Sequence, residues 1–348
     1  MAAFVSTPVV AYSTTTAWIA APAIGAGDFA WLEVGSQDGD VRAVAAFRGD
    51  RLIIRTGGQN RTVVHQPCAA MPCNTVQAPV TGADGSFAYA VAFPGTAGYV
   101  ANVNAAGASN VVAEDQTDAA AITTPHLVAT SGAAVLWVDG NQIITAPNVG
   151  GTGVVMVTAE QAGGEITSLA AGPAGIAWSA RTAAGGSLIG FRAAIGAISV
   201  RAAEPVAATA TLYSVALADD GTVVAIRRTL ARGRQQMSLM AYDTAGAGRV
   251  LLQSVRFGKG EPFEATRPSV AGTRVAVRLR GGAGATRDEL WIVDLASGKR
   301  ARVTAVERRE ARLTDPSFGA GRLVWARDDV SSRGRLIKAR VYSAAVKP

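Results

Sequence analysis

A chain of 348 residues that is 49% hydrophobic and only 17% charged holds enough apolar material for a buried core and too little charge for global disorder. Its longest uncharged runs, such as AAAITTPHLVATSGAAVLWV, are broken by Pro, Gly and Thr, which excludes helical membrane spans. The formal net charge of +7 is unevenly spread: residues 1–200 carry 7 Lys plus Arg against 12 Asp plus Glu, and residues 201–348 carry 26 against 14.

In chain order, the opening MAAFVSTPVVAYST shows no basic segment followed by an apolar one, so no leader is visible in it. Two cysteines follow, Cys68 and Cys73 in HQPCAAMPCN. A disulfide between them would close a six-residue ring worth about 2 kcal/mol in the chain-entropy picture. A redox pair is the other reading, but four residues intervene where such centres have two. The cystine reading leans towards an oxidising, extracytoplasmic location, periplasmic or secreted.

From there the chain repeats. APAIGAGDFAWLEV, APVTGADGSFAYAV, TPHLVATSGAAVLWV, TSLAAGPAGIAWSA, YSVALADDGTVVAI, RPSVAGTRVAVRL and DPSFGAGRLVWAR each read as a short apolar strand, a tight turn with Gly, and a second strand. The turn glycines Gly27, Gly85, Gly132, Gly175, Gly221, Gly272 and Gly321 are 58, 47, 43, 46, 51 and 49 residues apart. Pro opens the unit at Pro22, Pro79, Pro125, Pro268 and Pro316, where the first residue of a strand has no ladder bond to donate. An aromatic follows the turn at Trp31, Tyr89, Trp137, Trp178 and Trp325, with Ala225 and Ala276 in the other two copies. Recurrence at one strand position points to packing between repeats; a sugar or quinone cage would gather aromatics from different positions.

A second hairpin follows each first one, as in LMAYDTAGAGRVLL and LWIVDLASGKRARV. Four antiparallel strands in 45–50 residues is the size of a β-propeller blade. The expectation is therefore an all-β, single-domain, seven-bladed β-propeller over 1–348. Its blades fall near 20–76, 77–121, 122–163, 164–209, 210–264, 265–312 and 313–344. The last unit, LIKARVYSAAVKP, runs out after its third strand, so the N-terminal strand within 5–19 is expected to supply the fourth and close the ring.

LWIVDLASGKRARVT followed by LTDPSFGAGRLVWA resembles the TolB-like or WD-repeat-like propeller repeat of many bacterial exported proteins. In that repeat a strand ending in Asp, a Gly turn and a Leu-Thr step lead to Asp-Pro and the next inner strand. The match covers blades six and seven, and the Trp-Asp and Gly-His signatures of eukaryotic WD repeats are absent. The resemblance implies a fold and an exported scaffold, with no partner attached.

Catalytic chemistry has little to work with. Histidine occurs twice, at His65 and His126, and no GxSxG nucleophile elbow or GxxxxGK[ST] phosphate loop is present. Asp219 and Asp220 in LADDGT read as turn residues before Gly, because a calcium loop alternates its oxygen ligands. Glu114, Asp115 and Asp118 read as a solvated connection. No metal site and no cofactor is expected.

The basic bias remains. Loops between second and third strands and connections between blades share one face of a blade, and blades five to seven place Arg232, Arg234, Lys259, Arg267, Arg287, Arg308, Arg309, Arg312, Arg333 and Arg335 there. Glu261, Glu264, Asp288, Glu307 and Glu310 offset them. Arginine suits bidentate contact with carboxylate or phosphate. The expected function is a non-catalytic, monomeric binding scaffold that recognises a protein surface, anionic glycan or polymer. Nucleic acid is not expected, since no aromatic-basic interleaving accompanies the arginines. The alternative is a propeller enzyme, a lyase or glycan hydrolase, using His126 with Asp139 or Asp328.

Overall fold

The computed structural model describes residues 4–24, 29–34, 50–56, 58–66, 75–76, 79–82, 85–92, 98–103, 109–114, 126–206, 209–258, 266–319 and 321–347. Apart from one four-residue α-helix, Ala159–Ala162, and one short 3-10 turn, the regular elements among these are strands. They form seven antiparallel sheets with four strand positions each, the all-β, seven-bladed propeller class expected from the repeat.

The chain divides into two compact units, Ala2–Met156 with Arg309–Pro348, and Val157–Arg308. Blades one, two, three and seven belong to the first. Blade one runs Trp18–Ile24, Phe29–Val34, Asp50–Thr56, Gln59–Gln66 from inner to outer strand, and blade three runs His126–Ser131, Ala134–Asp139, Gln142–Pro147, Val154–Val157. Blade two has Phe87–Ala92, Gly98–Val103 and Ser109–Glu114 beside an inner strand in two pieces, Thr75–Val76 and Val80–Thr81.

Blade seven likewise splits its inner strand into Ala311–Leu313 and Ser317–Gly319, next to Arg322–Val330 and Leu336–Ala345. Its outer strand is Val9–Thr14, with Val9 opposite Ser343 and Thr14 opposite Ala339. The N-terminal strand thus completes the blade whose own repeat ends early.

The second unit holds blades four, five and six. Their strands are Glu165–Gly172, Gly175–Arg181, Ser187–Ala193, Ile198–Glu204; then Ala210–Leu217, Val223–Ala231, Arg234–Tyr242, Gly248–Gln253; then Ser269–Ala271, Arg274–Gly281, Arg287–Asp294, Arg300–Glu307. The outer edge of blade five is extended by Phe257–Gly258 against the start of its third strand.

The turn glycines behave as the period requires. Gly85, Gly132, Gly175, Gly221, Gly272 and Gly321 all have positive φ, between 56° and 140°, a region that L side chains enter only at a cost. Gly27 lies outside the described residues, as do Cys68, Cys73, Asp115, Asp118, Pro125, Lys259, Glu261 and Glu264.

Only some of the prolines hold their expected place. Pro22 is inside the strand Trp18–Ile24, at a bulge where the register slips between Ala20 and Ala23 and Ala21 takes φ 44°. Pro79 and Pro316 stand where the inner strands of blades two and seven are broken. Inner strands without a described Pro also bulge, between His126 and Ala129, Ile166 and Ser168, and Tyr213 and Val215. Pro268, by contrast, directly precedes the inner strand Ser269–Ala271 of blade six as expected, so Pro stands either at the start of an inner strand or at its interruption, where a missing N–H does no harm.

The core lies between neighbouring sheets. Trp31 packs with Ile19, Ile24 and Ile53 of its own blade and with Val324, Ala326, Ala339 and Val341 of blade seven. Tyr89 of blade two sits with Leu32, Leu52 and Ile54 of blade one, and Trp137 of blade three with Ala88, Val100 and Val112 of blade two. Ala225, the small member of the series, meets Ile189 and Phe191 of blade four. For Trp31, Tyr89 and Trp137 the aromatic series is interblade packing, each large apolar side chain worth roughly 1.5–3 kcal/mol when buried.

A polar device recurs in the same joints. Just before the break in an inner strand a backbone N–H faces the preceding blade, and a side chain there accepts it. Asp328 Oδ1 takes the Ile19 N–H at 3.4 Å, Asp50 Oδ2 the Val76 N–H at 3.3 Å, and Ser187 Oγ the Leu212 N–H at 2.8 Å. Ser168 Oγ adds a second bond to the Val215 N–H, 2.9 Å, beyond the bulge of blade five. Each acceptor satisfies a donor that a regular ladder would have satisfied.

Candidate functional site

In the unit Val157–Arg308, the second and third strands of blade five are nine residues long and meet in the two-residue turn Arg232-Gly233, with Ala231 opposite Arg234. Both turn residues have positive φ, 50° and 71°, the geometry that matches strand twist in two-residue hairpins. Asn or Asp before Gly is the ordinary solution; an Arg there costs about 1–2 kcal/mol. The other non-Gly residues with positive φ are Ala21, Leu127 and Ser214 at inner-strand bulges and the buried Ala285, so among the described residues Arg232 alone is strained at an exposed tip. Arg234 is exposed beside it.

Blade six supplies a denser arrangement. Arg278 and Arg280 lie two apart in the second strand and so share a face. Asp288, near the start of the third strand, is 1% exposed. Arg308, just past the outer strand, bonds Asp288 Oδ1 through Nη1 at 2.8 Å, and Arg278 Nη1 lies 3.8 Å from Oδ2. Arg280, 6% exposed, stacks its guanidinium over the Phe257 ring at 4.7 Å. These groups, with Met237, Leu279 and Thr266, line a small recess with room for about one water molecule. Arg287 points elsewhere, bonding Glu307 at 2.5 Å, and Arg267 is exposed ahead of Pro268.

In the other unit, Arg309 lies 3.6 Å from Glu310, and Arg312 stacks over Trp18 at 5.6 Å. Arg333 and Arg335 are exposed in the Ser331–Arg335 turn, which is closed by the Ser331 N–H to the Arg335 carbonyl at 2.8 Å and the Arg335 N–H to Ser331 Oγ at 3.1 Å. The nine arginines singled out in the sequence thus divide. Arg308 is held by the buried Asp288, Arg287 and Arg309 pair at the surface with Glu307 and Glu310, Arg312 stacks on an indole while exposed, and Arg232, Arg234, Arg267, Arg333 and Arg335 are also exposed.

Sequence reasoning missed Thr266, Arg278 and Arg280. The i, i+2 spacing of Arg278 and Arg280 inside a strand was the available signal, since two charges on one strand face need a common counter-charge. Asp288 figured there only as a diffuse offset to the basic loops; it is the buried centre of the cluster.

The residues weighed for catalysis lie in blades three and seven. The backbone of His126 pairs with Val138 at the start of its strand. Asp139 ends the neighbouring strand. Asp328 is 5% exposed in blade seven, and burial pushes its carboxyl up to about 7, with Asp329 adding to the rise and the Ile19 amide and Arg312 opposing it. Asp220 Oδ1 accepts the Thr222 N–H at 2.9 Å, which is turn chemistry. Among the described residues no group of three or more His, Cys, Asp or Glu is placed to hold a metal ion, and no helix is long and apolar enough to cross a membrane.

No family model matches the chain, and no curated protein matches it. Solved structures do. A structure described as oligogalacturonate lyase in complex with manganese is similar over 99% of this chain and 96% of its own, at 9% identity and a TM-score of 0.58. The β-propeller domain of the Trilobed protease from Pyrococcus furiosus is similar over 95% and 97%, at 10% identity and a TM-score of 0.56. The Pyrococcus horikoshii acylaminoacyl peptidase is similar over 90% of this chain and 50% of its own, at 9% identity and a TM-score of 0.56. Identities this low carry the propeller fold and nothing finer. The Pyrococcus furiosus domain is described as having an open velcro topology; here the strand Val9–Thr14 is paired with Leu336–Ala345.

Proposed function

We propose that this chain is a TolB-like, exported binding scaffold without catalysis of its own, which recognises an anionic protein surface, glycan or polymer through arginines on the turns between second and third strands. The observation that carries the reading is Arg232. A left-handed backbone at an exposed hairpin tip is a place where stability alone selects Gly or Asn, and strain kept at such a position marks a side chain wanted for something else. Arg234 beside it, and Arg333 and Arg335 on the corresponding turn of blade seven, add exposed guanidiniums on short loops held by long strands, so little entropy is lost on binding.

The enzyme reading would lean on Asp328, the described carboxyl whose acidity is moved to about 7. Its bond to the Ile19 amide across a blade joint explains that carboxyl as an internal fastening.

Arg232→Asn combined with Arg234→Ser tests the proposal. The variant should be more stable than the parent by roughly 1 kcal/mol, because the strain is relieved. It should also bind dextran sulfate or polyglutamate several-fold more weakly in a titration at low ionic strength. Parent binding should fade as salt rises to physiological strength. Binding that ignores salt, or that survives the double substitution unchanged, would remove the electrostatic reading.

A further inference from the structure

At the seam between blades seven and one an acid and a base stand opposite each other and do not pair. Arg312, in the inner strand of blade seven, is the ladder partner of Asp328 in the second, so the two side chains leave the sheet side by side on one face. Opposite charges at such a position ordinarily join, yet no ion pair forms between these two. Each reaches across the seam instead. Asp328 Oδ1 accepts the Ile19 N–H at 3.4 Å, and the Arg312 guanidinium lies over the Trp18 ring, 5.6 Å from its centre. Trp18 and Ile19 open the inner strand of blade one, so both contacts end on neighbouring residues.

The arrangement has a physical reason. Asp328 is 5% exposed and burial pushes its carboxyl up to about 7, so below neutrality it carries a proton and gives Arg312 no counter-charge. An exposed guanidinium then gains more from an indole face. The charges around the carboxyl are few. The strand Trp18–Ile24 of blade one contains none, and Ala339 stands opposite Asp328 on the far side. Asp329 points to the other face of the sheet, where Arg327 and Arg340 bond it and Lys338 stands across from it. Asp329 raises the Asp328 carboxyl further and Arg312 opposes the rise, so Arg312 is the cation that an ionised Asp328 meets.

We infer that Arg312 is a two-position switch at this seam: with Asp328 protonated it lies on Trp18, and with Asp328 ionised it turns to the carboxylate across the ladder and uncovers the indole. Only a proton moves. The Ile19 amide stays bonded in both states, because an ionised carboxylate is the stronger acceptor. The sheets therefore keep their pairing while the surface of the seam changes. The switch stands whether or not the arginine turns bind a polyanion.

The test follows acrylamide quenching of tryptophan fluorescence in the full chain from about pH 5 to about pH 9, with the Trp18→Phe protein subtracted so that the difference belongs to Trp18. Quenching of Trp18 should rise with pH in one transition whose midpoint lies near 7. Asp328→Asn should lose the transition and keep the weak quenching of the acid end throughout. Arg312→Ser, at an exposed position where folding is not at stake, should lose it too and show the strong quenching of the alkaline end at every pH. Flat quenching in the parent overturns the inference. His65 and His126 titrate in the same window and neither substitution touches them, so a transition that survives in either variant belongs to another group and overturns it as well. Should Asp328→Asn fail to fold, Arg312→Ser decides alone.

Discussion

The joint between blades four and five and the joint between blades seven and one do the same work with different chemistry. In both, an inner strand bulges and a side chain of the preceding blade takes the amide exposed before the bulge. Blade four uses neutral hydroxyls, Ser187 for Leu212 and Ser168 for Val215. Blade seven uses a carboxyl, Asp328 for Ile19, at a site where burial pushes its acidity up to about 7. Blade one does likewise with Asp50, also raised by burial, for the Val76 amide. A geometric demand set by the bulge can thus be met by any acceptor, but only the carboxyl makes the joint answer to pH.

The comparison can be broken most severely in blade four, without touching its hydroxyls. Gly190 lies opposite Trp178 in the ladder, and a methyl there would stand 2.1 Å from the indole Cε2. Gly190→Ala should cost about 3 kcal/mol or more, since the indole, its Nε1 bonded to the Ala162 carbonyl at 3.1 Å, has no slack to move. Chemical denaturation would measure it, and a loss under 1 kcal/mol would mean that blade four is loosely packed around Trp178.

The acid joint should respond to pH next most strongly. The native Asp328 carboxyl titrates near 7 and its unfolded counterpart near 3.8, so below about pH 4 both are protonated and the group contributes nothing. As pH rises through the window the native state retains a proton that the unfolded chain has lost, and stability falls by about 1.4 kcal/mol per unit until pH passes 7. Between about pH 5 and pH 8 the parent should lose roughly 2–3 kcal/mol that Asp328→Asn, which keeps an acceptor and cannot ionise, does not lose. Parallel stability profiles for the two proteins would refute the assignment.

The smallest effect is the neutral counterpart. Ser187→Ala strands the buried Leu212 N–H and should cost about 1.5 kcal/mol. That cost should be the same at both ends of the pH range, as thermal melts would show; a pH-dependent cost would erase the distinction between the joints.

The blade count, the turn glycines and the outer strand borrowed from the N-terminus were legible in the sequence because each is a local pattern repeated at one period. The role of the prolines was not. A missing N–H is equally compatible with the start of a strand and with its interruption, and Pro22 and Pro316 proved to be the latter. Asp50, Ser187 and Asp328 share a task without all sharing a repeat position, since Asp328 lies near the end of a second strand and the other two open third strands. Thr266, Arg278, Arg280 and Arg308 come from a connection, a strand and a strand exit, separated along the chain and gathered only by packing on Asp288.

The pairing of Val9–Thr14 with Leu336–Ala345 also sets an order of assembly. During synthesis this segment emerges long before its hydrogen-bonding partner, so it must wait unpaired while the intervening sheets form. Val9 and Val10, more than half exposed even in the finished blade, keep that waiting edge sticky, and a chaperone or a neighbouring nascent chain has that interval in which to find it.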